Sequence, residues 1–423
     1  MTISLQMELY VSVPLTISLL GLGIYSTTIP KHLRWARLAL AGPALVAAWS
    51  VAYPPHIPPI MPQPGLYIQV FTMGFLLLTK VVDVCIIGFW DGQDTWPRWQ
   101  VRREKKGEDH DGTVVEYVKL PMPTTFGRRL AYTVDNLVSP RGESLFKDHS
   151  WDWATKTVRD FRPTSLMAYL RSTVWRAVIA FLLYDISELI LYEVQWNLQS
   201  PNPITSRPIP TQIFYTLTMG IFIFSGMDLP YIFRGLFLSS IFQPSSFPPL
   251  FPSNPLHTTS IADFWSMRWH SQFRRTFDRL SLPIMWTVHP YKTHLSPHTV
   301  SFIRTLAVFF FSTLYHIGIA YSVPPQSHIH RRILEPAQIR FFLSQPIGLL
   351  IERMFVFPIT QGLSDRKKVG IRRMYMWVWI IWTGRWFCDG YILLGQFDGR
   401  AMGFSPAASV LGWWKSLAVT DVF

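Results

Sequence analysis

Phe309-Phe310-Phe311-Ser312-Thr313-Leu314-Tyr315-His316-Ile317-Gly318 lies inside an apolar run from Thr299 to Tyr321. A helix crossing a bilayer needs roughly 17–25 mostly apolar residues, and this run has that length. Ser312 and His316 are one helical turn apart within it. Polar groups at that depth are expensive and mark functional positions by default. A neutral imidazole there can take a proton from an alcohol while the alcohol attacks a carbonyl. Alternatively it only hydrogen-bonds another helix.

Runs of the same kind recur along the chain at Leu9–Thr27, Trp35–Tyr53, Leu66–Trp90, Thr173–Val194, Ile213–Leu229, Ala337–Phe357 and Met374–Leu394. The expected fold is therefore all-α, a polytopic membrane helix bundle of about eight spans. Two weaker stretches, Ile232–Phe242 and Leu280–Val288, read as re-entrant or interfacial, and Phe404–Val419 as one more short segment. Residues 1–8 contain Glu8 and no Lys or Arg, so the first run reads as a retained helix and not a cleaved signal. Three regions follow: membrane helices over 1–90, a loop region over 91–172 and a membrane core over 173–423.

Composition agrees. The chain has 423 residues, 49% hydrophobic and only 15% charged, against roughly 25% charged in soluble domains. Its net charge of +13 is carried between the apolar runs. That placement points to topology, anionic headgroups or a polyanionic cosubstrate, not to nucleic acid. Basic loops alternate with basic-poor ones, as the positive-inside rule requires. Lys31, Arg34 and Arg37 follow the first run, Pro54–Gly65 has no Lys or Arg, and 91–171 is rich in both. Gln195–Gln212 has only Arg207, 230–298 is basic again, and five basic residues crowd 366–373 before the last run. The termini are then lumenal and the long basic segments cytosolic. The mixed-charge tract from Arg102 to Gly112 reads as a solvated loop tip. Cys85 and Cys388 lie in apolar runs and read as buried free thiols.

Other runs also hold polar residues. Lys80 and Asp83 are spaced for an ion pair on one helix face. Asp185 and Glu188 share a face that lines either a polar groove or a proton path. Gln345 and Glu352 sit in the seventh run. No phosphate-cradling glycine loop, HExxH, CxxC or GxSxG pattern is present. The His328-Ile329-His330 pair is weak as a metal site without carboxylates. A second cluster precedes the sixth run: Asp263-Phe264-Trp265-Ser266-Met267-Arg268-Trp269-His270. On pattern alone it is either a chemical site or an amphipathic helix anchored at the interface by its aromatic face.

Together these motifs resemble the wax synthase-like branch of the membrane-bound O-acyltransferases. That branch has an Asp-Phe-Trp-x-x-Arg-Trp-(Asn/His) box, found here at Asp263–His270, then a helix ending in Ser-x-x-x-His, here Ser312–His316. Gln345–Glu352 is similar to its Gln-Pro-x-Gly-x-x-x-Glu helix, and Asn136 to Gly142 to an Asn/Arg-Gly element. The resemblance covers roughly 125–395 and is nearest to fungal acetyltransferases acting on terpenoids and meroterpenoids. Plant wax synthases usually close the box with Asn, where this chain has His270.

The resemblance implies a helix bundle around an intramembrane tunnel and acyl transfer from acyl-CoA to a hydroxyl in an intracellular membrane, the endoplasmic reticulum. It makes His316 the base and His270 the second catalytic or positioning residue. Asp263, Trp265, Arg268, Trp269, Ser312, Gln345 and Glu352 are supporting. Acetyl-CoA is the expected cosubstrate, with no bound cofactor or metal, and a lipophilic alcohol such as a terpenoid is the acceptor. A wax synthase using long-chain acyl-CoA is the rival within the class. A proton-coupled transporter using Asp185, Glu188 and His316 is the rival outside it, but no inverted repeat supports it. A catalytically dead membrane scaffold is a third.

Overall fold

Each predicted run forms a helix in the computed structural model, which describes residues 2–29, 34–53, 64–90, 96–106, 113–192, 203–251, 255–269, 272–291, 294–322, 328–393, 405–410 and 412. The first helices are α1 (Thr2–Thr27), α2 (Arg34–Ala52) and α3 (Pro64–Val81). A π-helical stretch, Val82–Ile87, and the turn Gly88–Trp90 prolong α3. Next come α4 (Phe126–Val138), α5 (Leu166–Tyr192), α6 (Ile209–Leu238) and α7 (Arg274–Val288). The last three are α8 (Pro297–Ser322), α9 (His328–Ile351) and α10 (Asp365–Leu393). A π turn over Glu352–Val356 and a last turn over Phe357–Thr360 extend α9.

Among the described residues, five helices are long and apolar enough to cross a membrane: Trp35–Ala52, Tyr67–Trp90, Ile209–Leu238, Pro297–Ser322 and Pro336–Thr360. The chain is thus a multi-pass helical membrane protein. α1 is apolar from Val11 to Thr27, while α5 and α10 hold the buried acids Asp185, Glu188 and Asp389. Sequence neighbours pack as pairs, α1 on α2, α2 on α3, α5 on α6 and α8 on α9, and α10 lies against α9 and α6. Small residues permit the closest approaches: Ala44, Ala48 and Ala52 of α2 are all buried. Cys85 and Cys388 are buried free thiols.

The weak stretch Ile232–Phe242 is no separate segment, because α6 runs unbroken through Pro230 to Leu238. Leu280–Val288 is the second half of α7, and Pro283 lies within that helix. His328 and His330 open α9 and do not lie in a loop. Of the tail from Phe404 to Val419, only 405–410 and 412 are described.

The all-helical expectation needs one amendment. Residues read as loop build a three-stranded antiparallel sheet in the order β2-β1-β3, from β1 (Trp99–Lys106), β2 (Thr113–Lys119) and β3 (His149–Trp151). Residues 102–106 of the mixed-charge tract are strand because their backbone pairs with the β-branched and aromatic run of β2, with Arg103 opposite Glu116. Residues 107–112 lie outside the described part. Trp99, Tyr132, Trp151 and Trp153 form the small core of this module, with the Trp151 and Trp153 rings stacked at 4.7 Å.

The element Asn136 to Gly142 ties this module to the helices. Asp135, just before it, accepts from Trp99 Nε1 (2.7 Å), Ser144 Oγ (2.8 Å) and the Leu145 N–H (2.7 Å). Burial pushes its carboxyl above the usual range, and those three donors act in the opposite direction. Lys80 donates to the Asn136 carbonyl (2.9 Å), and Arg141 to that of Pro248 (3.1 Å). The Lys80–Asp83 ion pair expected from spacing is replaced by other partners: Asp83 binds Arg275 and Arg279 of α7. Two guanidinium groups arriving from another helix satisfy that carboxylate better than one flexible ammonium on its own helix.

Candidate active site

α8 carries His316 in its buried C-terminal half, with Ser312 and Thr313 a turn earlier. The imidazole is 6% exposed. It stacks on Phe342 of α9 at 4.3 Å and 20° and meets the edge of Phe387 of α10 at 5.5 Å. Its Nδ1 lies 3.4 Å from the hydroxyl of Tyr391, also on α10. Three helices thus converge on one ring. Tyr315, next to it, turns the other way, to the Thr72 hydroxyl at 2.8 Å and the Phe71, Phe75 and Phe273 rings.

The box Asp263–Trp269 is built differently from the anchored amphipathic helix weighed above. One α-turn, Ile261–Asp263, is capped by Ser260, whose Oγ accepts the Asp263 N–H at 2.9 Å. A π turn, Phe264–Arg268, follows and ends at Trp269 in extended backbone. The wider turn brings residues five apart onto one side. Hence Arg268 Nε reaches Asp263 Oδ2 at 2.8 Å. The aromatics face inward: Phe264 is buried, Trp269 stacks on it at 5.5 Å and 13°, and Trp265 meets Phe309, Phe341 and Phe342. His270 lies outside the described residues.

The spacing of Gln345, Gly348 and Glu352 now has a physical meaning. With Phe342 they line one face of α9 and its π extension, and Phe342, Gln345 and Glu352 are all fully buried. Gln345 Oε1 accepts from Trp265 Nε1 (3.2 Å), and its Nε2 donates to Thr383 Oγ1 of α10 (3.1 Å). Glu352 accepts the Ile261 N–H on both oxygens, at 3.1 and 3.3 Å. Between them, a Cβ at Gly348 would collide with the Trp379 indole and come within 2.8 Å of Ile261 Cδ1. So Glu352 holds the turn that leads into the box, Gln345 holds its third residue, and a glycine between them lets the box and α10 press close.

Phe342 is the shared contact, touching the His316 ring on α8 and the Trp265 ring of the box. Of the residues named from sequence, His316, Trp265, Trp269 and Gln345 join this aromatic assembly, Glu352 and the Asp263–Arg268 pair brace the turn that carries it, and Ser312 is buried one turn from His316. On α5, Asp185 accepts the Ala407 N–H at 2.8 Å, and neighbouring Tyr184 stacks on Phe222 of α6. Sequence reasoning missed the polar side of α10. Thr383 binds Gln345, Arg385 binds Gln212 of α6, and Asp389 binds the Thr205 hydroxyl at 2.7 Å. Arg385 and Asp389, four apart within an apolar run, were the available signal.

No curated protein and no solved structure matches this chain. The stretch that begins just after α6 and takes in the box, α7, Ser312, His316 and Phe342 does have a counterpart: residues 247–344 match the sequence profile of the membrane bound O-acyl transferase family.

Proposed function

We propose that the chain is an acyl-CoA-dependent O-acyltransferase in which His316 is the base and the acceptor is an alcohol dissolved in the bilayer. The observation that carries the reading is that a segment matching the acyltransferase family holds a buried histidine packed, through Phe342, against the box. The reaction needs a base, an oxyanion donor and exclusion of water, and no metal.

In this reading Nδ1 of His316 faces the Tyr391 hydroxyl and Nε2 is the nitrogen that acts as base. Nε2 takes the alcohol proton as the alcohol oxygen attacks the thioester carbonyl. The C–O bond forms, the C–S bond breaks, and the imidazolium returns its proton to the departing CoA thiolate. His270 orients the acceptor or the thioester, and Arg268, Ser312 or Trp269 is the oxyanion donor. The acyl-CoA enters through a tunnel between the helices from the side of the basic loops, which attract its phosphates. Resemblance to the fungal acetyltransferases suggests acetyl as donor, a terpenoid or meroterpenoid as acceptor and the endoplasmic reticulum as the membrane.

The test uses microsomes expressing wild type or His316→Ala at equal abundance. Labelled acetyl-CoA or palmitoyl-CoA is supplied with hydroxylated terpenoids and long-chain alcohols, and label is followed into esters by mass spectrometry. The expectation is acetyl transfer to a terpenoid, reduced roughly 10²–10⁴-fold in the variant, the usual range for losing a general base. Label from palmitoyl-CoA alone moves the assignment to wax esters. Full turnover in the variant rejects His316 as base, and no ester from any pair rejects the acyltransferase reading.

A further inference from the structure

The helix α4 has one face that the other described residues leave largely open. Phe126, Leu130, Val134 and Val138 recur every four residues and are 72%, 48%, 46% and 42% exposed. The opposite face is fixed: Tyr132, Thr133, Asp135 and Asn136 are buried, and Tyr132 donates to the Pro97 carbonyl at 2.7 Å. Four large apolar side chains in a continuous ladder are far from the scattered exposure of an ordinary surface helix. The helix is only 13 residues long, about 20 Å at 1.5 Å per residue, too short to cross a bilayer.

Its neighbour says what covers the ladder. α4 packs on α1, where the Tyr25 and Phe126 rings are 6.1 Å apart and a Cβ at Gly21 would touch Leu137 and Thr133 at 3.8 and 3.9 Å. Gly21 lies about 9 Å inside the end of α1 at Thr27, counted along the helix. Interfacial helices sink their apolar faces about 5–10 Å into the headgroup–acyl boundary. α1 itself exposes Val11, Leu15, Ile17 and Leu22 and packs on α2, a candidate span, so the ladder continues an apolar outer surface. Charge agrees. The first turn of α4 carries Arg128 and Arg129, although a helix N-terminus disfavours cations. Arg129 Nε donates to the Pro123 carbonyl at 3.3 Å, and Arg128 is exposed. Two guanidinium groups beside an apolar ladder suit the phosphates of anionic lipids.

We infer that α4 lies in the plane of the membrane interface, its Phe126–Leu130–Val134–Val138 ladder in the acyl-chain boundary of an anionic leaflet. Its inner face carries Asp135 and Asn136, the contacts to the sheet and to Lys80. Docking of α4 therefore seats the sheet module on the membrane surface.

The test is nitroxide accessibility in the full chain reconstituted into vesicles of neutral lipid with about one-third phosphatidylserine. Leu130→Cys and Val134→Cys are spin-labelled, with Leu22→Cys as the lipid reference and Arg103→Cys as the aqueous one. Both native cysteines are buried, so the unsubstituted chain measures background labelling. Labels at 130 and 134 are expected to relax with oxygen and resist a water-soluble nickel chelate, as at 22. Relaxation by nickel as strong as at 103 would place the ladder in water and overturn the inference. Protection from both reagents would mean that protein covers the ladder and would overturn it equally.

Discussion

His316 has two ring nitrogens, and proton abstraction needs one of them unprotonated. If Tyr391 fixes which, then Tyr391→Phe removes a single hydrogen bond worth about 1 kcal/mol, or about fivefold in kcat. KM and abundance should hold. Unchanged kcat would leave Tyr391 as packing only. A second prediction concerns Asp135. Asn cannot accept from Trp99, Ser144 and Leu145 as a carboxylate does, so Asp135→Asn should cost about 1–3 kcal/mol in thermal unfolding of the detergent-solubilised protein. Because burial raises the folded pKa, the pH-dependent part of this group's effect favours the fold most below the unfolded value, about pH 4, and falls away as pH rises through the folded one, separately from the three hydrogen bonds. The variant should lack that slope. At this scale the sequence exposed what costs most in a membrane: His316, Gln345 and Glu352 stand out in apolar runs. Tyr391 did not, because a tyrosine in such a run is ordinary, and only the crossing of α8 and α10 makes it a partner.

Elements were legible wherever one period dominated. The apolar runs are long, and burial on all sides leaves helix as the only way to satisfy the backbone. Two features escaped for opposite reasons. The hairpin of β1 and β2 has charges where a strand pattern would show alternation, and its stability comes from pairing that a single segment does not display. The π turn of the box has a five-residue spacing, Asp263 to Arg268, outside both usual periods. The seat of that turn gives a paired prediction. Gly348→Ala puts a methyl against Trp379 and Ile261, and overpacking of this kind costs about 1–3 kcal/mol. Activity should fall with it, since the box is held from this face of α9. Gly370→Ala, in the exposed first turns of α10 with nothing within 4 Å, is the control and should leave stability unchanged or raise it by up to about 1 kcal/mol. Equal effects at the two sites would mean that the close approach at Gly348 does not matter.

At the scale of the molecule, three stretches far apart in sequence are joined by buried charge. Asp83 of α3 meets Arg275 and Arg279 of α7, Arg275 lies over the Trp153 ring at 4.2 Å, and Arg234 of α6 reaches Glu143 at 2.8 Å. Near it, one guanidinium nitrogen of Arg176 of α5 donates to both carboxylate oxygens of Asp228 of α6, at 2.7 and 2.9 Å. Each of these residues is visible in the sequence, but partners nearly two hundred positions apart are not. Hydrophobic burial alone would let the helices slide, whereas ion pairs at fixed points set which turn of α3 faces which turn of α7. Removing one member of such a set strands the others in low dielectric, at a typical cost of 3–5 kcal/mol. Asp83→Asn should therefore lower the unfolding temperature in detergent more than any exposed substitution on the sheet. Pairing it with Arg279→Gln withdraws one stranded cation and should recover part of the loss, so the double variant is more stable than the sum of its parts predicts. Simple additivity would mean that Asp83 and Arg279 act independently, and that packing of α3 and α7, not their charges, sets how the N-terminal helices dock.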